Sequence, residues 1–137
     1  MTRNRVARLL TGLAGLGFVG TAALHSTGYD SIVRLAKDVP GVMGEVMPAL
    51  WLAFSFDLTV LGLIVGILAI RPAQVARPIL VVAALCPFGA AGLQLQYIGF
   101  VPPTAILIAL GVLTWAGAAV WPGRSGASGT EVARVSE

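Results

Sequence analysis

The chain has 137 residues, of which 57% are hydrophobic and 11% charged. A soluble domain carries about 25% charged residues, so this surface cannot face water over most of its area, and the apolar content excludes a disordered chain despite seventeen glycines and eight prolines. The formal net charge of +3 reads as a membrane-topology signal, which removes the need for a nucleic-acid partner.

Four apolar runs divide the sequence. They predict membrane-crossing helices over 9–25, 48–70, 79–98 and 104–121, since a span needs about 20 residues, with a range of about 17–25. No run alternates with period two, so strands are not expected. The expected architecture is an all-α membrane protein: a four-transmembrane-helix bundle over 1–122, followed by a Ser/Gly-rich flexible tail over 123–137.

The first run carries Gly12, Gly15, Gly17 and Gly20, small residues that let helix backbones approach closely. This favours a retained packing helix over the competing reading, a signal peptide cleaved after Thr21-Ala22-Ala23. The long connection that follows places Ile32, Leu35, Ala36 and Val39 at helical spacing. They predict a short amphipathic helix in the membrane interface. Pro48 is expected to open the second span, while 71–78 and 99–103 form tight turns.

Basic residues fix the orientation. Arg3, Arg5, Arg8, Arg71, Arg77, Arg124 and Arg134 fall on one side of this arrangement. The other side has Arg34 and Lys37, offset by Asp30, Asp38 and Glu45. The positive-inside rule then predicts that both termini are cytoplasmic, in a bacterial-type cytoplasmic (inner) membrane crossed several times.

Asp57 is the one charge deep within a span. At the centre of a helix a carboxylate costs roughly 2.5–3.5 kcal/mol on insertion scales, so it is expected to face the bundle interior or a wet cavity. His25, Glu45, Trp51, Ser55, Gln94 and Tyr97 lie towards the external half of the bundle. Convergence on one externally open polar pocket would make Asp57, His25 and Glu45 the catalytic acids and bases. Gln94, Tyr97, Trp51 and Ser55 would contact the substrate. The alternatives are local: a boundary histidine, a solvated Glu45, and Trp51 and Tyr97 in an aromatic belt.

Such a pocket suits proton shuttling on a lipophilic substrate drawn from the membrane lipids, as in isomerisation, cyclisation or epoxide opening. It does not suit phosphoryl transfer, because no Gly-rich phosphate loop is present. A single cysteine, Cys86, and a single histidine exclude a Cys-rich metal site, a multi-histidine zinc site and bis-histidine haem ligation within one chain. No metal and no cofactor are therefore expected. Cys86, beside Pro87, is read as a small buried apolar residue.

Two rival functions keep the same fold. A non-catalytic accessory subunit of a larger membrane complex would dock through small-residue faces such as Thr114 and Ala118. A proton-coupled carrier with one acid per chain would require a homodimer. The four-helix size is similar to that of small multidrug-resistance transporters, but their essential acid lies in the first helix, where this chain has none.

Overall fold

The computed structural model describes residues 2–71 and 74–122. The expected tail over 123–137, with Arg124 and Arg134, lies outside the described residues. Five helices and no strands are found among those described: α1 (Arg3–Ser26), α2 (Tyr29–Ala36), α3 (Val42–Ile70), α4 (Ala76–Tyr97) and α5 (Pro102–Val120). All but α2 are long and apolar enough to cross a membrane.

Large apolar side chains cover much of the outside, and small residues fill a large part of the inside beside Phe18, Leu80 and Leu107. Leu16, Val42, Phe56, Ile70 and Phe100 are among the large apolar residues left exposed, whereas Ala7, Ala14, Ala22, Ala76, Ala83, Ala84, Ala91 and Ala118 are buried. Lipid tails are as apolar as leucine, so burial brings large side chains little, while small ones allow close backbone packing. The outer surface is thus built to meet lipid.

α1 is the central helix. It packs against α3 on one side and α5 on the other, α5 packs against α4, and α3 and α4 barely touch. The α1–α3 seam is at backbone contact: a Cβ added at Gly15 would lie 2.8 Å from Gly66 N and 3.0 Å from Gly62 O. Gly62 and Gly66, four residues apart, form the small-xxx-small face that receives it. On the α5 side, Gly17 meets Leu110, and Thr11 lies against Gly117. Thr11 Oγ1 is buried there without a hydrogen-bond partner among the described residues.

The ends of the helices explain their lengths. α1 begins at Arg3, ahead of the apolar run, because its arginines serve other helices. Arg8 donates to the carbonyls of Ala69 (2.7 Å) and Ile70 (3.3 Å), and Arg3 to that of Val120 (3.1 Å). The last carbonyls of α3 and α5 lack intrahelical partners and sit at the negative end of the helix dipole, so cationic donors suit both needs. These contacts gather the start of α1 and the ends of α3 and α5 at one end of the bundle.

Pro48 lies inside α3 rather than opening it. The helix starts earlier, after Gly41 at φ +73°, and one absent N–H near the start of a helix does not end it. Thr114 and Ala118, expected on a docking face, are buried within the bundle, and Thr114 donates to the Leu110 carbonyl. The predicted short helix is present as α2, with Ala36 buried and Val39 beyond its end.

Candidate functional site in the cleft between α3 and α4

The site begins where α1 ends. Trp51, on α3, sends its indole under the turn after α1, and a Cβ at Gly28 would lie 2.8 Å from its ring, so a glycine is needed for this approach. The indole N–H donates to the His25 carbonyl at 2.9 Å, satisfying one of the last carbonyls of α1. The His25 ring stacks on Trp51 at 3.8 Å with 17° between planes, and meets the edge of Phe54 at 5.0 Å. Its Nδ1 pairs with Ser55 Oγ at 2.9 Å. Trp51 and Ser55 can act together because residues four apart share a helix face.

Gln94, on α4, faces the same space. His25, Trp51, Phe54 and Gln94 line a chamber of about 430 Å³ whose other walls are Ile32, Met47, Leu50, Ala90 and Leu93. Gln94 is held by Thr104 at the start of α5, whose hydroxyl donates to Gln94 Oε1 at 2.8 Å. Thr104 also accepts the Val101 N–H at 3.4 Å.

Asp57 lines a second chamber, of about 420 Å³, with Phe54, Phe56, Leu61, Cys86, Pro87 and Leu107 among its walls. The two chambers share Phe54 and Ala90. Both belong to the cleft that α3 and α4 leave open. Asp57 stands three residues beyond Phe54, about 4.5 Å further along the helix at 1.5 Å per residue. Among the described residues, Asp57 makes no hydrogen bond or ion pair, and it is exposed. Cys86 is also exposed, contrary to the expected buried position, because α4 turns it towards the cleft rather than into α5.

The remaining candidates lie apart. Glu45 lines a different cavity of about 440 Å³ with Lys37, Val39, Gly44 and Pro48. Tyr97 is 81% exposed at the end of α4 and lines none of these cavities. Sequence reasoning passed over Phe54, which lines both chambers, and Thr104, which orients Gln94. The signal for Phe54 was its position three residues after Trp51 and three before Asp57, on one side of the helix.

Chemically, the cleft has two neighbouring, mostly apolar cavities, one with a neutral polar group set and the other with a carboxylate. Among the described residues, no group of three or more His, Cys, Asp or Glu side chains is placed to hold a metal ion. The chain matches no protein-family model, no curated protein and no solved structure.

Proposed function

We propose that this chain is a small integral-membrane enzyme that acts on a lipophilic substrate lying in the α3–α4 cleft. His25 and Asp57 would supply acid–base chemistry at two positions of that substrate. The observation that carries the reading is that their two chambers are neighbours, with Phe54 and Ala90 as common walls. Isomerisation, cyclisation and epoxide opening each require a proton to be given at one atom and taken at another. Two groups must therefore reach one substrate, and need not touch each other. The substrate enters from the membrane lipids through the seam between α3 and α4. No cofactor is part of the proposal.

The orientation follows from charge. The end where Arg3 and Arg8 meet the ends of α3 and α5 is the cytoplasmic one by the positive-inside rule, in a bacterial-type inner membrane. Both termini are then cytoplasmic, and the His25 chamber opens outward, with α2 in the interface above it. The backbone-level seam between α1 and α3 supports α1 as a retained helix of the working protein.

A second reading is favoured by the exposure of Asp57. A partner helix carrying a hydrogen-bond donor could fill the seam and cover the carboxylate, making the chain an accessory subunit. Lipid extracts of producing cells separate the two readings. With the natural chain, one lipophilic species should fall and another rise. With Asp57→Asn or His25→Ala at equal membrane levels, that change should shrink by about a hundredfold or more, as for loss of an acid–base group. Extracts identical with and without either substitution would remove the enzyme reading.

A further inference from the structure

The polar end of the cleft contains one acceptor and one donor, and their partners determine which is which. Thr104 Oγ1 has a single proton, given to Gln94 Oε1 at 2.8 Å while the oxygen accepts the Val101 N–H. The amide oxygen of Gln94 is thereby engaged, and its NH2 group is left as a donor. Beside the His25 ring, the buried Ser55 Oγ lies 2.9 Å from His25 Nδ1 and 3.3 Å from the Trp51 carbonyl. Ser55 also has one proton. Both contacts form together only when His25 Nδ1–H donates to Ser55 and Ser55 donates to Trp51. This network assigns the histidine tautomer, and the ring is left with a bare Nε2, an acceptor.

The rest of the chamber narrows the ligand class. Its other walls are apolar, and among the described residues no acidic or basic side chain besides His25 lines it. An ammonium can donate to His25 but accepts nothing from Gln94. An ether or ketone accepts from Gln94 but donates nothing to His25. A carboxylate fails in the same way. A hydroxyl does both from a single oxygen.

We propose that this chamber binds the hydroxyl end of a lipophilic alcohol, its O–H donated to His25 Nε2 and its oxygen accepting from the Gln94 amide. The apolar body lies along the cleft, past Phe54 towards Leu61 and Leu107. This proposal deepens the function proposed above, resting on the cleft as the substrate site. Ser55 then acts through His25, as a positioning residue that holds the tautomer.

Because His25 is the only histidine, nitrogen NMR of isotope-labelled histidine reads this one ring. The full chain in lipid nanodiscs is titrated with dodecanol, dodecyl methyl ether and dodecylamine, which share one apolar chain. The expected starting state is the Nδ1–H tautomer. Dodecanol should shift the Nε2 resonance and bind about tenfold more tightly than the ether, the effect of one lost hydrogen bond. Gln94→Ala should reduce dodecanol to the level of the ether, and Ser55→Ala should allow the Nε2–H tautomer to appear. An Nε2–H tautomer in the unsubstituted chain, equal affinity for alcohol and ether, or preference for the amine would each overturn the proposal. The alcohol–ether comparison uses the natural sequence, so it holds even if a variant fails to fold. Selective dodecanol binding together with lipid extracts indifferent to Asp57 would leave this inference standing while the enzymatic reading falls. Extracts that depend on Asp57 without alcohol selectivity would do the reverse.

Discussion

Gly15→Leu is expected to unfold the bundle or to lower its thermal midpoint steeply. The added side chain would start 2.8 Å from the backbone nitrogen of Gly66 and 3.0 Å from the carbonyl of Gly62. Backbone atoms of two helices cannot move aside as a flexible side chain would, so α1 and α3 must separate along their length. Overpacking in a yielding core costs about 1–3 kcal/mol, and here the loss should reach or exceed the upper figure. Gly20→Leu is the matched control. A Cβ at Gly20 meets nothing within 4 Å, so its melting in detergent should stay within about 0.5 kcal/mol of the parent. Equal effects of the two substitutions would show that α1 does not pack on α3 in this way.

Trp51→Ala should have the second largest effect, because one side chain joins three features. It covers the His25 ring, donates to the His25 carbonyl and fills the space beneath Gly28. Removing a fully buried tryptophan costs about 3–5 kcal/mol. Trp51 is only half-buried, and lipid can replace part of its contacts, so a loss of about 2–3 kcal/mol is expected. Trp51→Phe separates the contributions. It keeps an aromatic face on His25 and loses the N–H, for about 1 kcal/mol. Thermal melts of the two variants beside the parent measure both values. A Trp51→Ala protein as stable as the parent would mean that the indole does not anchor the end of α1.

The fold was largely legible because its signal is local: run length and hydropathy suffice to mark four spans. Where the sequence reading differed, the cause lay between elements. The apolar run of the first span starts at Leu9, yet α1 begins at Arg3, since Arg3 and Arg8 are committed to carbonyls over 60 residues away in sequence. Glycine spacing indicated a packing helix, but the partner face at Gly62 and Gly66 is set by how α1 and α3 are rotated, which helical periodicity alone leaves open. The same limit applied to the site. Trp51 and Ser55 were recognisable as one helix face, and Gln94 as a costly amide in a span. Their meeting with His25, and the separate positions of Glu45 and Tyr97, depend on which helices are neighbours. α3 and α4 follow one another in the chain, yet they form the open edge of the bundle.

The central claim is that the α3–α4 cleft is the working site, and Ala90→Phe tests it most directly. Ala90 lines both chambers, and a benzyl group on this common wall obstructs them without altering any polar residue. The measurement is the lipid conversion by Ala90→Phe in cells, at membrane levels and thermal stability matched to the parent. The account predicts that conversion falls about a hundredfold or more, as with His25→Ala. Conversion at the parental rate, with the chambers obstructed, would contradict it.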